Sequence, residues 1–473
     1  MTSPTPRLAL HPDRLLPTEP STREVARRLY GAVRDLPIIS PHGHVDPGTL
    51  LHDTPFADPA ALFVTPDHYV TRLLHASGVR LDDLGVGRGP LAEDEARAVW
   101  RRLCSHWDAF RGTPVRYWLE SELADIFEVT VRPSADTADD IYDTIADRLA
   151  RPEYRPRALY ERFGISLLAT TDDPVDDLAA HAALAADPTW HGRVIPTFRP
   201  DRYLEVGTPG WAGHVTRLGE SAGVDTGTLA GWIAAMEARR THFAEHGARS
   251  SDHSHEDVGT QPLDAAEAER IYRAGVAGTA RVDEAVALRR HLLLEMARMA
   301  TEDGLTMTLH PGVRRGHHGP TLRSFGPDTG HDIPLRGDFT DPLRPLLERF
   351  GTHPNLRLVL FTLDETVFSR ELAPLAGFYP SVYVGAPWWF LDAPEAVRRW
   401  RSAVTESAGL SKTSGFIDDT RAFCSIPARH DMARRLDSGF LAQLVTEHRL
   451  DEDEALAAAV DLVSGRPREV FGL

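Results

Sequence analysis

Of the 52 lysine and arginine side chains in this 473-residue chain, one is a lysine, Lys412. A Schiff base, a phosphate-loop lysine and a carbamylated lysine bridging two metals all need an amine in the site. Lys412 stands in a polar Ser-Lys-Thr-Ser segment with no phosphate-loop spacing, so a single metal ion or lysine-free acid–base chemistry is favoured. Cysteine is nearly as scarce. Cys104 and Cys424 supply neither a disulfide framework nor a paired-thiol metal motif, which suits a reducing compartment. No apolar run approaches the length that spans a bilayer. Met1–Pro20 carries prolines and charges where a secretory signal would carry an apolar core. A cytoplasmic location without a membrane partner is expected. The formal charge of −17 argues against nucleic acid, whose binding needs a basic surface. A small anion remains admissible, because salt screens distant charge within about 8 Å and a local arginine pair decides.

Length alone suggests about three domains, but the order of elements points to one large fold. Short apolar or β-branched runs recur, each ending in a polar tip and followed by a helical pattern. They fall at 37–40, 165–169, 193–197, 247–251, 305–309, 356–363, 381–384 and 415–417, the fourth having little apolar content. Amphipathic stretches at 174–186, 283–301, 341–350 and 394–405 lie between them. Eight strands with intervening helices make an α/β chain of the closed (β/α)8 TIM type, whose strand-tip loops form the active face. The wide gap after the first strand predicts a helical insertion over 48–160, with helices near 96–104 and 137–149. A further helix is expected over 225–244. Residues 1–36 are expected to form an N-terminal helical segment ahead of a barrel over 37–473. Gly316-His317-His318-Gly319 reads as a solvated loop.

The polar tips carry the chemistry. His42 and His44, spaced i, i+2 at the first tip, would project to one side and offer two metal ligands. Asp419, at the last tip, would lie beside them when a barrel closes, as a third ligand or a base. Asp418 reads as a helix cap. Asp67 reads as an N-cap, placing His68 and Tyr69 on a first helical turn, where the two could move protons. Arg199 and Arg421 stand at tips where a guanidinium can grip a carboxylate. Trp388-Trp389 could lay a flat face against a sugar ring or fill the barrel mouth, and His310 could bond substrate oxygens. Asp252-His253-Ser254-His255 is a rival His-x-His pair, ranked lower for want of a clear preceding strand.

Taken in order, these strings resemble the uronate isomerase (glucuronate isomerase) family of the amidohydrolase superfamily. The matching segments are Pro-Ile-Ile-Ser-Pro-His-Gly-His, Asp67-His68-Tyr69 with Arg72, Gly112-Thr113-Pro114 through Trp118, and Thr170-Thr171-Asp172-Asp173-Pro174. They continue with Thr197-Phe198-Arg199-Pro200-Asp201, Ser251-Asp252-His253, Leu309-His310-Pro311-Gly312 and Gly326-Pro327-Asp328-Thr329-Gly330. Trp388-Trp389-Phe390, Asp419-Thr420-Arg421 and Arg429-His430 complete them. The resemblance implies a distorted (β/α)8 barrel that interconverts D-glucuronate with D-fructuronate and D-galacturonate with D-tagaturonate. It implies one divalent metal ion, zinc being expected, on His42, His44 and Asp419, with no nucleotide or pyridoxal phosphate. Catalysis would fall to Asp419, Tyr69 and His68, and substrate contact to Arg199, Arg421, Trp388 and His310. The implied partner is a small uronate, in a chain compatible with a homo-oligomer. Relatives often carry cysteine where this chain has Gly43, an asparagine cluster near Arg314-Arg315-Gly316, and Asn-Pro near Asp364-Glu365. The last two departures bear on substrate preference. Two other readings share the same ligands: a metal-dependent hydrolase of the amidohydrolase type, and a non-catalytic sugar-acid binding protein.

Overall fold

The computed structural model describes residues 7–473, so the first six residues of the expected N-terminal segment lie outside it. Among the described residues there are nine strands: β1 (Ile38–Ser40), β2 (Ile165–Ala169), β3 (Val194–Ile195), β4 (Ser250–His253), β5 (Thr306–Leu309), β6 (Val313–Arg314), β7 (Ile333–Pro334), β8 (Leu358–Leu360) and β9 (Val382–Val384). Strands β1-β2-β3 and β4-β5-β8-β9 form two parallel sheets, while β6 and β7 make a small antiparallel pair.

Backbone bonds join the parallel sheets into a circuit. Phe198 bridges to Asp172 on one side and Ser251 on the other, linking the β2–β3 tips to β4. Val384 of β9 bridges to Thr413, and the His44 N–H donates to the Thr420 carbonyl at 3.0 Å. The segment 413–420 thereby stands between β9 and β1, where the eighth strand of a barrel belongs. Its ladder contact lies at Thr413 and Ser414, ahead of the expected 415–417, because Gly415 at φ +77° turns the chain out of extended geometry.

The fourth strand also differs from expectation. It runs over Ser250–His253, some residues beyond the expected 247–251, and all four residues are buried although none is aliphatic. Polar neighbours satisfy it: Thr197 Oγ1 lies 3.3 Å from Ser250 Oγ, and Thr308 Oγ1 donates to Asp252 at 3.0 Å. Apolar patterning cannot register such a strand. The helix expected over 174–186 starts at Ala179. Asp173, Asp176 and Asp177 each accept the N–H two residues on, holding turns that compete with the helix.

Between β1 and β2 the chain is helical, and its starts are written locally. Asp46, Asp58, Asp67 and Thr113 each accept a backbone N–H from the first turn of the helix that follows. Proline follows the first, second and fourth of these caps at the position where its missing N–H costs nothing. Trp100, Phe110 and Trp118 from this region share one apolar cluster with Ile38, Leu168 and Ile417. A second cluster packs β5, β8 and β9 against helices Leu229–Glu245, Val282–Asp303, Thr340–Phe350 and Pro394–Ala408. Helix Pro20–Val33 rests on Ile426–Thr446 through Leu29, Val33 and Leu441. Among the described residues, no helix is long and apolar enough to cross a membrane.

Helices Pro394–Ala408 and Ile426–Thr446 are tied by a buried pair, Arg401 Nε and Nη2 each donating to Asp437 at 2.8 Å. Arg401→Ala leaves that carboxylate buried without its partner and should cost about 3–5 kcal/mol, read by urea unfolding. Arg401→Met with Asp437→Leu should cost far less than the single change. Equal losses would mean that packing, not charge, holds the contact.

Candidate active site

The strand-tip loops enclose a cavity of about 590 Å³. His42 and His44, just beyond β1, reach its floor, and Asp419 meets them from the opposite end of the sequence. The Asp419 Oδ1 atom lies 3.3 Å from His42 Nε2 and 2.9 Å from His44 Nε2. Neither approach has hydrogen-bond geometry, and Oδ1 is buried without a hydrogen-bond partner. His310 joins them from the tip of β5, its ring stacked on His42 at 5.0 Å. His310 Nδ1 is engaged by Asp252 Oδ1 at 2.6 Å, and its Nε2 is buried and unpaired. Ligand atoms of His42, His310 and Asp419 all fall within 4.8 Å of one another.

Donors around a tetrahedral ion stand about 3.4 Å apart, so this oxygen and these imidazole nitrogens suit one cation. The Asp252 carboxylate fixes the tautomer of His310 and aims Nε2 inward, as carboxylate partners of metal-binding histidines do. Asp419 stays ionised: burial pushes its carboxyl up, but the contacts with His42 and His44 hold it well below the usual range. Burial, offset in part by Asp419, holds His44 below its ordinary value.

His68 and Tyr69 form one wall, their rings stacked at 4.8 Å on the first turn of helix His68–Ala76, which Asp67 caps as expected. Burial, helped by Arg421, pushes His68 down to about 3, so its ring is neutral at ordinary pH. Burial raises the Tyr69 hydroxyl well above its usual value despite Arg429, so it stays a phenol. Arg199 places Nε 3.1 Å from Asp201 and 3.4 Å from Asp252. Arg421, more exposed, lies 3.7 Å from Asp328. Trp388 packs its ring edge-on to His310 at 4.7 Å. All nine residues singled out in the sequence therefore line one cavity, whereas Lys412 lies outside it, bonded to the Tyr379 and Pro380 carbonyls.

Asp418 does not cap the following helix. It is buried and lies 3.0 Å from His430 Nε2, while Ser425 occupies the cap position of Ile426–Thr446. A side chain at Gly43 would point toward Asp418 and the Ala169 carbonyl, both about 3.5 Å off, away from the Asp419 cluster. His317 and His318 are exposed, as a solvated loop requires. Asp252 and Asp328, given no role of their own from the sequence, line the cavity too, with Arg315 and Trp389. For Asp252 the signal was its register opposite Thr308, two residues before His310. Arg315, over the Trp389 ring at 5.0 Å, directly follows the two-residue strand β6, too short to show a period in the sequence.

A family model described as glucuronate isomerase matches residues 20–465. The uronate isomerase of Cutibacterium acnes is 56% identical over 469 residues, covering 99% of this chain and 100% of that one. The crystal structure of glucuronate isomerase from Caulobacter crescentus superposes with a TM-score of 0.96 at 45% identity, covering 98% of this chain and 97% of that chain. The uronate isomerase structure from Thermotoga maritima gives 0.91 at 29% identity, with 98% and 99% covered.

Beside the cluster, burial pushes Asp172 up to about 7, against hydrogen bonds from Thr170 and the Thr197 N–H. An unfolded carboxyl near 4 binds fewer protons between pH 4 and 7 than the folded one, so Asp172 withdraws stability as pH rises through that window. Asp172→Asn should melt several degrees above the parent at pH 8, with the gap closing by pH 4. A constant gap across that range in thermal melts would contradict this assignment.

Proposed function

Since the chain belongs to the glucuronate isomerase family, we infer that it converts D-glucuronate to D-fructuronate and D-galacturonate to D-tagaturonate at the cavity of His42, His44 and Asp419. It is an aldose–ketose isomerase of uronic acids, and its whole-length relatives leave the hydrolase and binding-protein readings without support. The observation that carries the assignment is the ionised Asp419 carboxylate against two imidazoles, opposite a neutral phenol and a neutral imidazole.

Isomerisation moves a proton between C2 and C1 through an enediol, exchanges protons at two oxygens, and keeps the rest of the sugar acid still. Both imidazole contacts fall on Asp419 Oδ1, which leaves Oδ2 to take the C2 proton and return it to C1. Tyr69, kept as a phenol, donates to the carbonyl oxygen as charge develops there. His68, neutral and stacked on it, takes the proton that the C2 hydroxyl loses, and passing that proton to the Tyr69 oxygen restores both groups. Arg199 and Arg421 hold the carboxylate and neighbouring hydroxyls, guanidinium geometry suiting a planar anion. Trp388 offers its face to the carbon chain.

The donor set supports one divalent ion. His42, His44 and Asp419 would hold it with His310 in reach, and zinc suits nitrogen and carboxylate donors. When bound, such an ion polarises a substrate oxygen as a Lewis acid. A cytoplasmic setting without nucleic acid is consistent with the free, buried Cys104 and Cys424 and the net charge of −17.

Positioned acid–base groups are worth about two to four orders of magnitude. Asp419→Asn and Tyr69→Phe should each lower turnover within that range while circular dichroism stays unchanged. An NMR time course with glucuronate and galacturonate, with and without a chelator, checks both the isomer formed and the need for metal. Near-normal turnover in both variants would end this mechanism, and release of an acid in place of an isomer would restore hydrolysis.

A further inference from the structure

A second group of metal-ligating side chains stands beside the cavity, near the tips of β3 and β4, with Asp201 in the cavity lining and His253 and His255 outside it. Asp201, His253 and His255 place one ligand atom each within 4.8 Å of the others. His255 Nε2 lies 3.6 Å from Asp201 Oδ1, close to the ~3.4 Å separation of neighbouring donors on a tetrahedral ion. The two imidazoles are 1% and 4% exposed. Both ring nitrogens of His253, and Nε2 of His255, are buried with no hydrogen-bond partner. Native interiors rarely leave three imidazole nitrogens unpaired at one spot.

The surroundings prepare these atoms as ligands. His255 Nδ1 lies 2.6 Å from Glu205 Oε1, so the proton belongs on Nδ1 and the Nε2 lone pair faces Asp201. That is the carboxylate–histidine arrangement which orients metal-bound imidazoles. Arg289 approaches the same Glu205 oxygen, Oε1, at 3.9 Å. Asp201 is fixed by the Ser254 N–H, at 3.1 Å from both oxygens, and Arg199 leans on Oδ2. Because side chains alternate along a strand, Asp252 reaches the substrate cavity while His253 turns to the other side.

We propose that Asp201, His253 and His255 form a second binding site for a divalent transition metal ion, distinct from the cluster of His42, His44 and Asp419. Two imidazoles and one carboxylate select zinc or a neighbouring first-row ion over calcium or magnesium. They leave the fourth place of a tetrahedral ion to water. The site shares Asp201 and Arg199 with the substrate cavity but none of its imidazoles.

Cobalt(II) is the probe. The double variant His42→Ala/His44→Ala, loaded with cobalt and dialysed, should keep about one equivalent per chain with the visible absorption of a tetrahedral ion. Adding His253→Gln and His255→Gln should abolish that equivalent while far-ultraviolet dichroism is unchanged. No retained cobalt in the double variant, or cobalt retained after both histidines are replaced, overturns the proposal. Anomalous diffraction from cobalt-soaked crystals of the unaltered chain tests it without substitutions. A peak among Asp201, His253 and His255 supports it, and a peak confined to Asp419 overturns it. The two sites are read separately, so failure of the first leaves the second to be decided.

Discussion

The Asp419 carboxylate must be delivered to His42 and His44 across the seam where the chain's last barrel segment meets its first strand, and the surrounding backbone is shaped by that demand. Asp419 adopts φ +43°, the left-handed region that costs a non-glycine residue about 1–2 kcal/mol and that aspartate tolerates better than most. The bond from the His44 N–H to the Thr420 carbonyl at 3.0 Å fixes the same seam in the backbone. Left-handed φ recurs at two other residues that line the cavity, Asp328 and Trp389. Strain of this kind persists only where packing over-determines it. Here Asp418 supplies an anchor beside it, its buried carboxylate 3.0 Å from His430 while Asp419 faces the imidazoles.

The helical region between β1 and β2 carries His68 and Tyr69, and the buried cation Arg429 helps tie it to helix Ile426–Thr446. Arg429 lies 3.7 Å above the Trp118 ring and 4.9 Å from that of Tyr69, and it donates to Asp392 at 2.8 Å. Burial pushes Asp392 up to about 7 against the contact with Arg429, and the same guanidinium spans that carboxyl and the two aromatic rings. Cation–π contacts gain strength when water is excluded. Tyr69 is therefore set by three elements at once: its own helix, Trp118, and the Arg429 side chain.

The chemistry of this fold was legible where residue type and strand tip coincided. His42, His44, His310, Asp419 and Arg421 stand at tips whose strands, or whose place in the order of strands, the apolar pattern reveals. The caps at Asp46, Asp58 and Asp67 follow from local hydrogen bonding and needed no tertiary context. What stayed hidden shares one cause. β4 is built from Ser250, Ser251, Asp252 and His253, each satisfied or left open by neighbours distant in sequence. A search for apolar runs displaces such a strand, drops Asp252 from the site, and ranks His253 and His255 below the first pair. Asp418 was misread for a related reason: its partner His430 lies on the next helix, invisible to local capping rules.

The two departures from the family pattern have unequal weight once their side chains are placed. Asp364 accepts from the Thr366 and Gly337 N–H groups, and Glu365 pairs with Arg399 at 2.6 Å, so that pair shapes a turn outside the cavity. Arg314 is likewise spent on Glu256 at the surface. Arg315 alone enters the cavity lining, held by Asp332 at 3.1 Å and Ser254 at 3.2 Å, with its guanidinium over Trp389. A guanidinium is a planar donor of fixed geometry and an asparagine amide a smaller, two-sided one. Of the departing residues, Arg315 is therefore the one whose exchange for an asparagine would change the donors lining the cavity.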